Sequence, residues 1–416
     1  MTNPVNDIST QTDFEQVRLD FPVLKQEING HPLVYLDNAA SSQMPSVVAG
    51  RLDHYHRYEH ANVHRGIHSL SQKATDAFEL TRKKIQKFIN AGSEHEIIYT
   101  TGTTDSINLV ANSYGKSKFS EGDEIILSEM EHHANIVPWQ MIAQQTGAKI
   151  RVIPVLDDGT LDLDEYRKLL NTKTKMVAVV HISNALGTVN PVREITALAH
   201  ENDAVVLIDG AQAVPHETVD VQEIGCDFYA FSAHKMCGPT GFGILFGRHE
   251  LLEEMPPYRG GGDMIDKVSF EETTYNTIPF KFEAGTPPIA AGIGLGTAVD
   301  YLNSIGMDRI AAREDELVRY ALNRLREVDG LRFIGNADNR ASVISFVFDD
   351  IHAHDVGTIL DKKGIAIRTG HHCAQPILRR FNVSATARLS LSFYNNEDDI
   401  DRFIDGLFYV KDFFDM

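Results

Sequence analysis

The chain has 416 residues, of which 43% are hydrophobic and 23% are charged, and its formal net charge at pH 7 is -19. A chain of this length buries a large core, and its negative charge repels nucleic acids and anionic membrane surfaces. The first thirty residues lack the apolar core of a signal peptide, and no run approaches the length of a membrane span. We therefore expect a cytoplasmic protein that has neither a nucleic acid nor a membrane as its partner.

The N-terminal elements are predicted from capping signals and a short apolar run. Residues 12–15 have capping-box spacing, which predicts a helix through Leu19 that Phe21-Pro22 closes. A strand is predicted at 33–36. Two helices, at 51–59 and about 71–90, flank a polar loop.

Strands and helices then alternate along the chain, which indicates a parallel sheet between two layers of helices. The predicted strands are residues 96–100, 124–127, 149–155, 176–182, 204–208 and a run that ends at Ser232. Such sheets bind ligands beyond the carboxyl ends of their strands. The polar clusters at these ends are Gly102-Thr103-Thr104, His132-His133, Ser183-Asn184, Asp209-Gly-Ala-Gln212 and Ser232-Ala-His234-Lys235. Five clusters at one sheet edge predict a pocket there.

The alternation stops after residue 255. Residues 268–274 and 275–282 predict a projecting hairpin, and a glycine-rich helix follows at 290–302. Beyond residue 303 the pattern predicts a smaller α+β domain that ends in a helix with apolar Ile400, Phe403, Ile404, Leu407 and Phe408. The predicted organisation is an α/β protein with a large domain at 30–302, a small C-terminal domain at 303–416, and an N-terminal segment, 1–29, that packs with the small domain.

Lys235 ends an apolar strand and precedes a turn rich in glycine and proline. Burial there would lower the pKa of the ammonium, which a lysine needs to form a Schiff base. The alternative is a solvated loop lysine. Asp209 also ends an apolar strand, where a carboxylate requires a cationic partner such as a protonated pyridine nitrogen. The turn at Gly102-Thr103-Thr104-Asp105 suits a phosphate, although a simple helix cap has the same appearance.

These three features together are the layout expected for pyridoxal 5'-phosphate, and His132 could stack on its ring. The alternative for His132 and His133 is a hydrogen-bonded loop pair. The glycines at 292, 294 and 296 follow no strand, so they are weak evidence for a dinucleotide-binding motif.

Cys373 lies in the polar stretch Arg368-Thr-Gly-His-His-Cys373, whereas Cys226 and Cys237 have the flanks of packing residues. A mobile, electropositive loop favours a nucleophilic thiolate, and a small buried residue is the alternative. The spacing of the three cysteines favours reduced thiols. Arg388 is interpreted either as a carboxylate clamp or as an exposed cross-strand charge.

With these residues assembled, the chain resembles the SUF-type (group II) cysteine desulfurases and selenocysteine lyases, which are fold-type I pyridoxal phosphate enzymes of aminotransferase class V. The resemblance covers nearly the whole chain. Its markers are 131–139, 209–212, 232–235, 282–287 and 368–373. Many relatives carry Arg or Lys where this chain has Thr101, so the role of Thr101 is left open.

The resemblance implies a role for each site residue. Lys235, Cys373 and His132 would be catalytic, and Asn184, Arg368 and Arg388 would bind the substrate. The cofactor would be held by Thr103, Thr104, His132, Asp209, Gln212, Ser232, His234 and Lys235, with Thr286 supplied by the partner subunit of a homodimer. No metal is implied.

The implied reaction converts L-cysteine to L-alanine and leaves a persulfide on Cys373. In the family this sulfur passes to a sulfur-acceptor protein for iron–sulfur cluster assembly, and selenocysteine is an alternative substrate. The short loop between Arg368 and Pro376 resembles group II, which predicts slow turnover without an acceptor. Two alternatives stay open: another class V enzyme, selenocysteine-specific or kynureninase-like, and a metal-binding or sulfur-carrying module built on His132-His133 and His371-His372-Cys373.

Overall fold

A computed structural model describes residues 12–415, and each structural statement below concerns this part of the chain. The strands are β1 Glu27–Ile28, β2 His31–Pro32, β3 Val34–Tyr35, β4 Ile97–Thr100, β5 Glu124–Ser128, β6 Lys149–Ile153, β7 Thr174–Val180, β8 Val205–Asp209, β9 Phe228–Ser232, β10 Gly243–Gly247, β11 Ile265–Val268, β12 Thr273–Tyr275, β13 Leu331–Ile334, β14 Val343–Phe348, β15 Ile365–Ala366, β16 Arg368–Gly370 and β17 Thr386–Ser390. The helices are α1 Phe14–Arg18, α2 Ser46–His54, α3 Ser69–Phe88, α4 Thr103–Val110, α5 Lys116–Lys118, α6 Val137–Thr146, α7 Leu163–Leu169, α8 Val192–His200, α9 Val221–Ile224, α10 His249–Glu254, α11 Ile289–Ile305, α12 Met307–Leu325, α13 Ala353–Asp361, α14 Gln375–Arg380 and α15 Glu397–Asp415.

The large sheet has seven strands in the order β4-β10-β9-β8-β7-β5-β6. Strand β10 is antiparallel to both of its neighbours, and the other pairs are parallel. The short turn between β9 and β10 explains the exception, because a parallel return needs a crossover of a dozen or more residues. The prediction of a mostly parallel sheet is therefore confirmed.

Helices cover both faces of this sheet. Along β7, Val177 and Val179 join one apolar cluster, which also takes residues from α3, α8 and α11. Met176 and Ala178 point the other way, into a cluster with residues of α4, α6 and α10. Because side chains of a strand alternate between faces, both sides of β7 are apolar. The sheet is thus a buried layer whose polar contacts concentrate at the strand ends.

A second, antiparallel sheet has the order β13-β14-β17-β16, and a separate apolar cluster packs it against α12, α13 and α15. Arg18 of α1 donates to Asp399 of α15 at 2.8 Å, so the N-terminal helix packs on the last one. These contacts support the division at 1–29, 30–302 and 303–416, which stays a prediction; residues 1–11 and 416 lie outside the described part.

Several local expectations were wrong. Asp13, and not Thr12, caps α1, since its carboxylate accepts from the N–H groups of Glu15 and Gln16. The hairpin consists of β11 and β12, with exposed Phe270 between them, and not of residues 268–274 and 275–282. Residues 280–282 form a 3₁₀ turn in which Phe282 is buried. Phe408 is 38% exposed, although Ile400, Phe403, Ile404 and Leu407 are buried as expected. Helix α14 was not predicted.

Candidate active site

The carboxyl ends of β4, β7, β8 and β9, with the turn after β5, open on one cavity of about 240 Å³. It is lined by Ala39, Ala40, Thr103, Thr104, His132, Ala134, Val180, Asn184, Asp209, Ala211, Gln212, Ser232, His234, Lys235, Arg368, His372, Cys373 and Arg388. The structure thus brings together the predicted site residues with one exception. Thr286 lines a different cavity.

At one end of the cavity, helix α4 begins at Thr103, three residues earlier than expected. Its cap is Gly102, whose φ of 147° is unfavourable for other residues, and β10 approaches so closely that a Cβ on Gly243 would lie 2.4 Å from Gly102 Cα. The backbone N–H of Thr103 donates to Ser232 Oγ at 2.8 Å, and the two hydroxyl groups are 2.7 Å apart. Hydroxyl groups at a helix N-terminus can bind a phosphate. The hydroxyl groups of Thr103 and Ser232 are here termed the hydroxyl cup.

Thr101, which precedes this helix, bonds to Asp105 in the first turn of α4. Its hydroxyl and its backbone N–H both donate to Asp105 Oδ2, at 3.1 and 3.0 Å. Thr101 does not line the cavity that contains Lys235, and its side chain stabilises the turn before α4.

Lys235 lies in the turn after β9, at the wall of the cavity. Its removal from bulk water lowers the pKa of the amine to about 8, although the attraction of Asp209 opposes this shift. Asp209 itself is 3% exposed, and burial raises the pKa of its carboxyl while Lys235 and the N–H of Ala211 act in the other direction. The cavity therefore contains an amine whose pKa lies close to neutral pH, and a carboxylate that needs a cationic partner.

His132 caps the 3₁₀ turn that follows β5, where its Nδ1 accepts from the N–H of Ala134 at 3.0 Å. This bond fixes the ring at the cavity wall. Burial, reinforced by the charge of Lys235, lowers the pKa of His132 to about 4. The same two causes lower the pKa of His234 to about 4. Both rings are therefore neutral near pH 7, as a ring that stacks on an aromatic cofactor should be.

Arg388 crosses from the small sheet into the cavity. It is 2% exposed, and its two terminal nitrogens donate to Asn184 O at 2.9 Å and to Asp37 Oδ1 at 3.0 Å. The exposed cross-strand alternative is thereby excluded. Arg368 pairs with Arg388 across β16 and β17, so two guanidinium groups reach the same cavity.

Four buried polar atoms of cavity-lining residues have no hydrogen-bond partner within the described chain. They are Asn184 Oδ1, Gln212 Oε1, His372 Nδ1 and Arg388 Nε. A buried polar atom that lacks a partner is costly, so this cavity is built for a polar ligand. Together with the hydroxyl cup, Lys235 and Asp209, these atoms fit pyridoxal phosphate and an amino acid.

Cys373 is partly buried in residues 371–375, which are the loop after β16 and the first residue of α14, and this segment faces the same cavity. His372 and Cys373 have φ values of 50° and 56°, a left-handed conformation that is uncommon for residues with side chains. Other elements hold this loop: Asn184 Nδ2 donates to His372 O at 2.7 Å, and His372 Nε2 lies 2.7 Å from Thr386 Oγ1. Cys226 and Cys237 are buried in the core, as expected.

Comparison with known proteins relates the chain to one family. The aminotransferase class-V model matches residues 34–403. A probable cysteine desulfurase of Halalkalibacterium halodurans is 52% identical over 96% of this chain and 98% of its own length, and a cysteine desulfurase of Dickeya dadantii is 53% identical over 94% and 95%. The cysteine desulfurase of Thermococcus onnurineus superimposes with a TM-score of 0.91 at 38% identity, covering 96% of this chain and 98% of that one.

The chain belongs to the aminotransferase class-V family. The resemblance, the α/β fold class and the cysteine desulfurase activity that the sequence indicated are confirmed by these relationships.

In this member of the family, Glu131 is an important residue of the site to which the sequence analysis gave no role. It is fully buried, and burial raises the pKa of its carboxyl to about 8. It accepts hydrogen bonds from the hydroxyl of Ser128, from Asn135 Nδ2 at 2.7 Å and from the N–H of Val180 at 2.9 Å. Glu131 therefore ties the ends of β5 and β7 to the histidine turn. A carboxylate three residues after a buried strand, next to the two histidines, was the available signal.

Within the described chain, the histidine clusters are not grouped as the ligands of a metal site would be. Among residues 12–415, no three side chains of His, Cys, Asp or Glu are grouped so that they could bind an ion. The rings of His133 and His371 are 5.8 Å apart, and His372 is bonded to Thr386 instead. The geometry gives no support to the metal-binding alternative. The described helices also include none that is long and apolar enough to span a bilayer.

Proposed function

We propose that Lys235 and Cys373 perform cysteine desulfuration in this cavity, with pyridoxal phosphate as the cofactor. The observation that carries the proposal is that a lysine with a lowered pKa and a loop cysteine line one cavity, which also contains buried, unpartnered polar atoms. When bound, the cofactor withdraws electrons from the substrate's α-carbon, which is the chemistry that the reaction requires.

The residues of the cavity divide into those that hold the cofactor and those that hold the substrate. Asp209 would face the pyridine nitrogen, Gln212 the ring hydroxyl and His132 the ring face. The phosphate would be bound by Thr103, Thr104, Ser232 and His234. Asn184, Arg368 and Arg388 would bind the substrate carboxylate, because the buried amide of Asn184, the buried guanidinium of Arg388 and the exposed guanidinium of Arg368 match that anion.

Lys235 has two tasks. Its Nζ would join the cofactor and would then be released to move the proton of the substrate's α-carbon. A pKa of about 8 suits both tasks, since the amine is partly neutral near the working pH and still takes up a proton. Cys373 Sγ would then attack the substrate sulfur. The carbon–sulfur bond breaks, a sulfur–sulfur bond forms, and the carbon keeps the electron pair and gains a proton, which yields alanine and a persulfide.

A homodimer and a sulfur-acceptor protein complete the proposal. Thr286 does not line the cavity of its own chain, and a second copy could supply it to the phosphate. The persulfide would pass to an acceptor protein of iron–sulfur cluster assembly in the cytoplasm. Selenocysteine is a further candidate substrate. If the short-loop resemblance holds, excess acceptor protein will accelerate turnover, and an unchanged rate would contradict this part of the proposal.

A visible absorption spectrum tests the central claim. We expect the purified protein to absorb in the visible range through its cofactor, the band to shift when L-cysteine is added, and alanine to accumulate in the same tube. A protein that stays colourless after addition of pyridoxal phosphate would disprove the proposal.

A further inference from the structure

The adjacent histidines His132 and His133 serve different parts of the site. The ring of His132 lines the cavity, whereas His133 is absent from its lining. His133 contacts the loop of residues 371–375, here termed the Cys373 loop. Because the turn from 133 to 135 is a 3₁₀ turn capped by His132, the two rings point differently, with 49° between their planes. The second histidine therefore has a contact set that the proposed mechanism does not use.

Two hydrogen bonds join His133 to the Cys373 loop. The backbone N–H of His133 donates to Cys373 O at 2.7 Å, and the N–H of Gln375 donates to His133 Nε2 at 3.1 Å. One residue thus bonds to Cys373 itself and to the residue two positions after it. Since Nε2 is the acceptor, the ring is neutral and its proton lies on Nδ1.

The loop depends on such contacts because its conformation is unfavourable on its own. His372 and Cys373 have positive φ values, and neither is glycine. Such residues persist where surrounding structure fixes them. Asn184 and Thr386 hold His372, whereas His133 bonds to the carbonyl of Cys373 and to the N–H of Gln375.

We propose that the His133 side chain is a positioning residue for sulfur transfer, which keeps the Cys373 loop in the conformation that directs Sγ into the cavity. The inference rests on the proposed function. It separates two stages of the reaction: cofactor binding and the first encounter with cysteine depend on Lys235 and His132, and sulfur transfer depends also on His133.

The test compares His133→Ala with His133→Gln in the cofactor-loaded enzyme. Alanine removes the acceptor for the Gln375 N–H, whereas the glutamine side-chain oxygen can replace Nε2. We expect the rate of alanine formation at saturating cysteine to fall about tenfold to a hundredfold in His133→Ala, since small misplacements of a reacting group have effects of this size. His133→Gln should recover most of this loss. The cofactor band and its half-saturating response to cysteine should equal those of the wild type.

A second measurement does not require turnover. Iodoacetamide labelling of Cys373, followed by mass spectrometry, should be severalfold faster in His133→Ala because the segment loses the bond between the His133 ring and Gln375. His95→Ala, which removes an exposed histidine outside the site, is the matched control and should behave like the wild type in both assays.

The outcomes are distinguishable. Wild-type turnover in His133→Ala, no recovery in His133→Gln, or loss of the cofactor band in His133→Ala would each overturn the positioning role. A wild-type protein that forms no alanine would instead refute the proposed function. In that case, equal labelling of Cys373 in His133→Ala and in the wild type would refute the role of His133.

Discussion

Lys235 and Cys373 line the same cavity, but the fold holds them in different ways. Lys235 follows the buried strand β9, and its turn is fixed by backbone bonds: Ala233 N–H donates to Phe242 O, and Ser42 N–H donates to His234 O, both at 3.0 Å. Cys373 lies in a loop after β16, which is held by the side chains of Asn184 and His133 and by one backbone bond, from His133 N–H to Cys373 O.

The difference teaches how one site divides its tasks. The lysine must meet the cofactor in one fixed geometry, so a sheet end suits it. The cysteine must attack the substrate and then release sulfur to another protein, so a loop that a few hydrogen bonds hold is better suited. Variants of the two residues should therefore fail at different stages.

The largest effect is expected for Lys235→Ala, which should abolish every stage. Loss of the amine removes both the attachment of the cofactor and the acid–base group, so alanine formation should fall by at least about 10³-fold. The measurement is alanine production together with the visible spectrum. Lys84→Ala, at a surface ion pair with Asp300, is the control. Activity within tenfold of the wild type would refute the assignment of Lys235.

Cys373→Ser should have a more selective effect. Because serine is a poor nucleophile toward sulfur, alanine formation from cysteine should drop by roughly 10²-fold or more, and no persulfide should form. The cofactor band and its response to cysteine should persist, since Lys235 is intact. Selenocysteine cleavage could survive, because selenide is a better leaving group.

Cys226→Ala provides the comparison for Cys373→Ser, since Cys226 is buried in the core and should affect stability alone. If Cys373→Ser retains full activity on cysteine, the loop thiol is dispensable, and a class V enzyme without a catalytic cysteine becomes the better interpretation.

The same contrast explains what the sequence could predict. Asp209, Ser232 and Lys235 were placed correctly because polar residues after apolar strands meet at one edge of a parallel sheet. The hydrogen bond between Gln375 and His133 joins residues 242 positions apart, and the bond between Asn184 and His372 joins residues 188 positions apart. No local pattern specifies such pairs. The buried state of Glu131 likewise depends on three partners that the tertiary fold assembles.

The errors in the fold prediction have the same origin. Residues 275–282 alternate like a strand, but tertiary packing buries Ile278 and Phe282 in the large core and leaves Phe270 exposed. The apolar spacing of the last helix predicted burial of Phe408, yet that ring lies where no element covers it completely. Periodicity identifies an amphipathic element, and the neighbouring elements decide how wide its buried face is.

The smallest effect, about tenfold, is expected from pH and is assigned to Lys235; the carboxyl of Glu131, which also has a pKa of about 8, titrates in the same window but does not line the cavity. Because the pKa of Lys235 is about 8, the neutral fraction of the amine rises from roughly one tenth at pH 7 to nine tenths at pH 9. Capture of pyridoxal phosphate by cofactor-free protein should accelerate accordingly, which the growth of the visible band measures. The unfolded lysine keeps its proton up to about pH 10.4, so stability of the cofactor-free protein should also rise between pH 8 and 10. His132 and His234 have pKa values of about 4 and stay neutral throughout this window. A capture rate without an inflection between pH 7 and 9 would therefore show that the lysine is not held in the desolvated geometry that distinguishes it from the loop cysteine.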